Sequence, residues 1–208
     1  AQSFDLMVET KSLKALSVLA QASCKITQGE FLQMQISNKP NTKISDYFNV
    51  IGGKTAQLFG ASAQSGAIVA NGSLQQVKAA FDYGYNMGLA FQIIDDIMDY
   101  SSSNTQMGKN QGDDFKLGKT TLPIILAWEK SNKLEREFFL KSLQELKQEK
   151  GDFEKCCEIL KKYSILNRCK KIANDFVIKA INALNQFSEN NYKKALIELA
   201  NSSLSRVN

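Results

Sequence analysis

The ten residues FQIIDDIMDY, Phe91 to Tyr100, restrict this chain more than any other stretch. They set three aspartates, Asp95, Asp96 and Asp99, inside a run of isoleucine, methionine and phenylalanine. A helix fits the surrounding pattern, running from Leu74 to about Tyr100 with Ser73 as its cap. At 100° per residue, Asp95, Asp99, Gln92 and Asp96 fall at roughly 0°, 40°, 60° and 100° on the wheel, with Gly88 near 20°. Ile93, Ala90, Ile97, Ile94 and Met98 cover the opposite side. Carboxylates cost energy to bury, and Asp95 and Asp99 repel at i,i+4 by ~0.2–0.5 kcal/mol even when exposed. A hard dication removes this defect, because Mg²⁺ takes carboxylate oxygens together with waters and phosphates. A solvated acidic face would mix in Lys and Glu. This helix is otherwise apolar, which favours metal binding.

The remaining chain reads as helices. Ser12 to Ser37 carries helical periodicity through Leu13, Leu16, Leu19, Ala20, Ile26, Phe31 and Met34. NKPNTK (Asn38 to Lys43) is a turn with a proline that a helix cannot cross. A helix with Ser45 as cap candidate then runs to Ala70, and NGSLQQ is a break that contains Ser73, the next cap. From Thr120 onward four or five amphipathic helices end near Arg206. No strand alternation, repeat or linker stands out, so residues 1–208 read as a single all-α domain. Ala56, Gly60, Ala63, Ala67 and Ala70 form a small-residue stripe that suits either core packing or a subunit interface.

Composition narrows the chemistry. Among 208 residues there is no histidine, which removes Ser-His-Asp hydrolysis, Cys-His proteolysis and His-ligated zinc. Cys24, Cys156, Cys157 and Cys169 have no zinc-ligand spacing, and reduced, cytoplasmic thiols are expected. Net charge is +5, from lysines interleaved with glutamates rather than clustered arginines, so no nucleic-acid partner is implied. No apolar run reaches transmembrane length.

The loop after the aspartates supplies opposite charge. GKNQGDDFKLGKTTLP carries Lys109, Lys116 and Lys119 among glycines, and its length suggests function. A metal on one side and ammonium groups on the other suit a diphosphate. The triplets Gly53-Lys54-Thr55 and Gly118-Lys119-Thr120 are not P-loops, because Phe48 and Asp113 stand where the first glycine belongs. Lys54 and Thr55 still place an ammonium and a hydroxyl near a helix end.

GLAFQIIDDIMDY resembles the second aspartate-rich motif of the trans-isoprenyl (polyprenyl) diphosphate synthases. MGKNQGDDFKLGKTTLPIILA is similar to the segment that follows it in long-chain members, especially bacterial octaprenyl diphosphate synthases. GEFLQ (Gly29 to Gln33) and KTAQLF (Lys54 to Phe59) match two further stretches, in order. The resemblance implies an isoprenoid-synthase-type helical bundle around a central cavity, acting as a Mg²⁺-dependent prenyltransferase. It implies an allylic diphosphate and isopentenyl diphosphate as substrates, a lipophilic polyprenyl product and a homodimer. By that likeness Asp95, Asp96 and Asp99 hold Mg²⁺, and Lys54, Lys109 and Lys119 contact the allylic diphosphate beside Thr55 and Gln92. Phe91 lines the apolar cavity, and Glu30 and Gln33 face the pocket.

The family's first aspartate-rich motif and its isopentenyl-binding basic cluster have no counterpart here. The sequence is therefore expected to correspond to the C-terminal two-thirds of such an enzyme; the other reading is a non-catalytic partner or relic that keeps the fold and half of the site. The 208-residue chain alone is expected to turn over prenyl substrates at background rate. Incorporation of labelled isopentenyl diphosphate into butanol-extractable product measures this, and robust incorporation would contradict it.

Overall fold

The computed structural model describes residues 2–101 and 111–205. Among them the chain is helical and without strands. The elements are α1 (Gln2–Glu9), α2 (Leu13–Ile36), α3 (Ile44–Ile51), α4 (Gln57–Val69), α5 (Leu74–Asp99), α6 (Asp113–Lys116), α7 (Leu122–Lys130), α8 (Lys133–Phe139), α9 (Asp152–Lys162), α10 (Ile165–Ala183) and α11 (Asn191–Ser205). No described helix is long and apolar enough to cross a membrane.

Local chemistry sets most of the boundaries. Ser12 caps α2 by accepting from the Ala15 N–H. Ser73 and Gln76 form a reciprocal capping box at the start of α5. Ser45 is not a cap: α3 starts at Ile44 after Lys43, which makes no side-chain capping bond. The helix expected up to Ala70 is also not uniform. Gly52–Ala56 widens into a π-helical turn between α3 and α4. Such turns disturb the i→i−4 ladder and often sit at functional sites; this one carries Lys54 and Thr55.

Helix α5 is the axis of the fold, packed on α4 along one side and on α10 along another. Ile93, Ile94 and Ile97 lie buried with Leu122 and Ile125 of α7, Leu160 of α9 and Cys169 of α10. Burial of each such isoleucine contributes ~1.5–3 kcal/mol relative to exposure. The core therefore sits immediately beside the aspartates and holds their helix rigidly.

The close approach of α4 to α5 depends on small residues. A Cβ on Gly88 would lie 2.5 Å from Ala56 Cα. Ala56 and Gly60 are buried, Gly60 against the Phe81 ring. The first part of the stripe is thus packing within the chain, while Ala63 and Ala67 are half-buried and Ala70 is exposed. Helix α2 differs from its expected polarity. Its buried face is Ala15, Ala22 and Gly29, whereas Leu13, Phe31 and Met34 are 83%, 63% and 73% exposed. The physical reason is again proximity: a Cβ on Gly29 would meet Lys54 N at 2.5 Å, so α2 presents its smallest residues to the π turn.

Substituting Gly88→Ala drives the new methyl into the Ala56 backbone, with no flexible side-chain end to yield. Overpacking of this kind costs roughly 1–3 kcal/mol. Urea unfolding should show a lower midpoint of that size, and an unchanged midpoint would mean that α4 shifts freely away from α5.

Candidate functional site

A cavity of about 210 Å³ opens where the C-terminal part of α5 meets α2, α3, the π turn and the segment before α7. Gln33, Lys54, Gln92, Asp95, Asp96 and Lys119 all line it. These six sequence candidates come from separated parts of the chain. Asp114, Tyr47, Thr120 and Thr121 also line it, and sequence reasoning had assigned them no role. Asp114 was visible within the GDD triplet, but as loop charge. Tyr47 carried no signal beyond its place on an apolar helix.

The π turn delivers Lys54. Its Nζ donates to Gln33 Oε1 at 2.6 Å and pairs with Glu30 Oε1 at 3.1 Å. Glu30 is half-exposed and acts on the cavity through Lys54 rather than by lining it. Thr55, the next residue, donates its hydroxyl to Gln92 Oε1 at 2.9 Å. Phe91 is half-buried, with its ring 5.5 Å from that of Phe59. Lys109 lies outside the described residues.

The three aspartates occupy different environments. Asp95 is partly buried at the cavity. Asp96 turns inward and is 3% exposed. Tyr47 Oη donates to its Oδ2 at 2.7 Å, Gln92 Nε2 to its Oδ1 at 3.0 Å, and the Leu122 N–H to Oδ2 at 3.4 Å. Burial pushes the Asp96 carboxyl up to about 7, against the pull of the Gln92 and Tyr47 hydrogen bonds and with a further push from the Asp114 charge. Asp99 sits one turn on, half-buried, where its Oδ2 accepts the Asp114 N–H at 3.2 Å. Burial and the Asp114 charge raise it to about 6.

Helix α6 ties these groups to Lys119. The Gly112 N–H donates to Asp99 O at 3.1 Å, and Lys119 Nζ lies 2.6 Å from Asp114 Oδ1. Burial works to lower the Lys119 pKa, but the Asp114 contact and the Asp99 and Asp96 charges raise it overall. One turn of helix thus carries an acid that touches both the aspartate motif and the lysine.

The donor set fits a hard dication. It consists of carboxylates, amides and hydroxyls, with no thiolate or imidazole. Among the described residues no three Asp, Glu, Cys or His side chains converge on one point. Mg²⁺ is commonly held by one or two carboxylates, with water and phosphate oxygens completing its shell. Burial, with a smaller push from the Asp114 charge, raises both carboxyls.

Because the folded values of Asp96 and Asp99 exceed the ordinary 3.8, the folded chain keeps protons that the unfolded chain releases between about pH 4 and 7. Their contribution to stability is therefore present at low pH and lost as pH rises through about 6 to 7. Asp99→Asn should lose the Asp99 share of this dependence. In EDTA, its stability relative to the parent should rise by on the order of 1 kcal/mol between pH 4.5 and pH 8, allowing for the partial exposure of Asp99. Parallel urea titrations at the two pH values measure it; a pH-independent difference would contradict the assigned environment.

Comparison with known proteins places this geometry in context. The polyprenyl synthetase family profile matches residues 1–160. Octaprenyl diphosphate synthase of Haemophilus influenzae is 36% identical over 205 residues, covering 99% of this chain and 62% of that protein. The geranyl-diphosphate-specific all-trans-nonaprenyl-diphosphate synthase of Rhodobacter capsulatus is 33% identical and is covered over 63% of its length. The chain thus spans about 62% of the length of these relatives. Among solved structures, a polyprenyl synthase from Caulobacter crescentus, complexed with calcium and isoprenyl diphosphate, superposes with a TM-score of 0.94 at 41% identity, covering 99% of this chain and 62% of that one. A decaprenyl diphosphate synthase from Rhodobacter capsulatus gives 0.93 at 35% identity, with 99% and 63% covered.

Proposed function

Because this chain belongs to the polyprenyl synthetase family, we propose that its cavity binds the diphosphate of an allylic prenyl substrate together with Mg²⁺. The reaction is head-to-tail prenyl transfer to isopentenyl diphosphate, giving a long trans-polyprenyl diphosphate. The observation that carries this reading is the gathering of Lys54, Gln92, Asp95 and Lys119 around one cavity. Ammonium groups and carboxylates around one space match a diphosphate bridged by a dication. The Caulobacter relative, complexed with calcium and isoprenyl diphosphate, supports the same pairing.

Each residue then has a chemical task. Lys54 and Lys119 exchange Gln33 and Asp114 for phosphate oxygens and stabilise the negative charge that accumulates as the carbon–oxygen bond breaks. Asp95 and Asp99 would hold the cation, which supplies Lewis-acid neutralisation of the leaving diphosphate. Phe91 and Phe59 provide an apolar wall beside the reacting carbon and exclude water from it. The octaprenyl-like chain length and assembly as a homodimer belong to this same proposal.

Ion and diphosphate bridge each other to the protein, so they should raise the melting temperature more together than the sum of their separate effects. Asp95→Ala removes a ligand and a neutralising charge and should abolish that excess. Thermal scans with Mg²⁺, with geranyl diphosphate and with both test this; an undiminished excess in the variant would sink the metal assignment.

A further inference from the structure

The three aspartates look equivalent in sequence, but their oxygens are not equivalent in space. Both Asp96 oxygens already accept hydrogen bonds, from Gln92 on α5, Tyr47 on α3 and the first residue of α7. Both oxygens act as acceptors, so this buried group dictates which end of its neighbours faces it. Gln92 must turn its amide nitrogen toward Asp96. Its carbonyl oxygen then faces the other way, where the Thr55 hydroxyl donates to it. An amide pinned at both ends cannot flip. One N–H of Gln92 remains, and Gln92 lines the cavity.

We infer that Tyr47 and Asp96 are positioning residues, which lock Gln92 so that it offers the cavity an N–H rather than a carbonyl oxygen. The inference rests on the diphosphate reading above. With the amide reversed, an oxygen would oppose the phosphate oxygens, acceptor against acceptor. Tyr47 Oη fixes the carboxylate, the carboxylate fixes the amide, and the amide fixes the Thr55 hydroxyl. In this arrangement Asp96 takes no direct part in holding the cation, and Asp95 is the cavity-lining carboxylate that does. The relay joins α3, α5 and the π turn, all three of which line this cavity.

The test uses the 208-residue chain with Tyr47→Phe, Asp96→Asn, Asp95→Asn, Gln92→Ala and the Tyr47→Phe/Gln92→Ala double variant. Melting temperatures establish that each is folded; Tyr47→Phe keeps the ring and all charges. Mn²⁺ binding without diphosphate is followed by electron paramagnetic resonance, and inorganic diphosphate binding at saturating Mg²⁺ by calorimetry. Tyr47→Phe should weaken diphosphate by about 10-fold, the scale of a hydrogen bond to a charged group, and leave Mn²⁺ affinity unchanged. Asp95→Asn should weaken Mn²⁺ strongly, and Asp96→Asn far less. Adding Tyr47→Phe to Gln92→Ala should cost nothing further, because the positioned amide is already gone.

Additive losses in the double variant would overturn the inference while leaving the diphosphate reading intact. Equal loss of Mn²⁺ in Asp95→Asn and Asp96→Asn would do the same and make Asp96 a ligand. Failure of the parent chain to bind diphosphate at all would remove both readings together.

Discussion

A buried carboxylate with three donors, Asp96, ties the site to the core. It lies in the same helix as Ile93, Ile94 and Ile97, whose burial against α7, α9 and α10 leaves α5 no freedom to rotate. Removing any one donor leaves an acceptor undersatisfied in a region where water cannot replace it. The same constraint places Asp95 at the cavity that Lys54 and Lys119 border, and leaves Asp99 half-buried against the Asp114 N–H. Chemical asymmetry among the three aspartates thus follows from which side of α5 is packed.

The second constraint is backbone proximity. Gly29, Gly88 and Ala56 let α2, the π turn, α4 and α5 approach to distances that larger side chains would prevent. From the π turn at Gly52–Ala56, Lys54 reaches the cavity that Asp95 and Asp96 line, and Thr55 reaches Gln92. Helix α6 brings the opposite wall, through the Asp114 contacts with Asp99 and Lys119. Each wall is therefore fixed by main-chain geometry, and long side chains supply only the last few ångströms. Lys54 and Lys119 both rest on protein acceptors that an anion can replace. The proposed diphosphate would enter a space whose cations are already aimed.

Periodicity and capping chemistry made much of this legible. The limits of α2 and α5 followed from Ser12, Ser73 and the apolar repeats, and the all-α class from the lack of strand alternation. The helical wheel grouped Gln92 with the aspartates, but their co-location with Lys54 was implied only by the resemblance to the polyprenyl diphosphate synthases. What stayed hidden depends on contacts between distant segments. Nothing in the residues around Asp96 reports that Tyr47, almost fifty positions earlier, donates to it. The helical wheel assigned Asp96 to the edge of the polar face but could not say that α3 covers that edge. Likewise Phe31 and Met34 fitted a core pattern, yet the close approach of Gly29 to the π turn turned them outward. The π turn itself left no mark beyond Gly52-Gly53, which also suits an ordinary helix.

The most direct test of the central claim, that this cavity holds a diphosphate bridged by a dication, is a crystal structure of the chain grown with Mn²⁺ and inorganic diphosphate, with anomalous data collected at the manganese edge. The expected result is an anomalous peak about 2.1–2.3 Å from an Asp95 oxygen, a typical metal–carboxylate separation. Diphosphate density should lie beside it, with Lys54 and Lys119 turned from Gln33 and Asp114 onto its oxygens. Density for diphosphate elsewhere, with Lys54 and Lys119 still on their protein partners and no peak at Asp95, would contradict it.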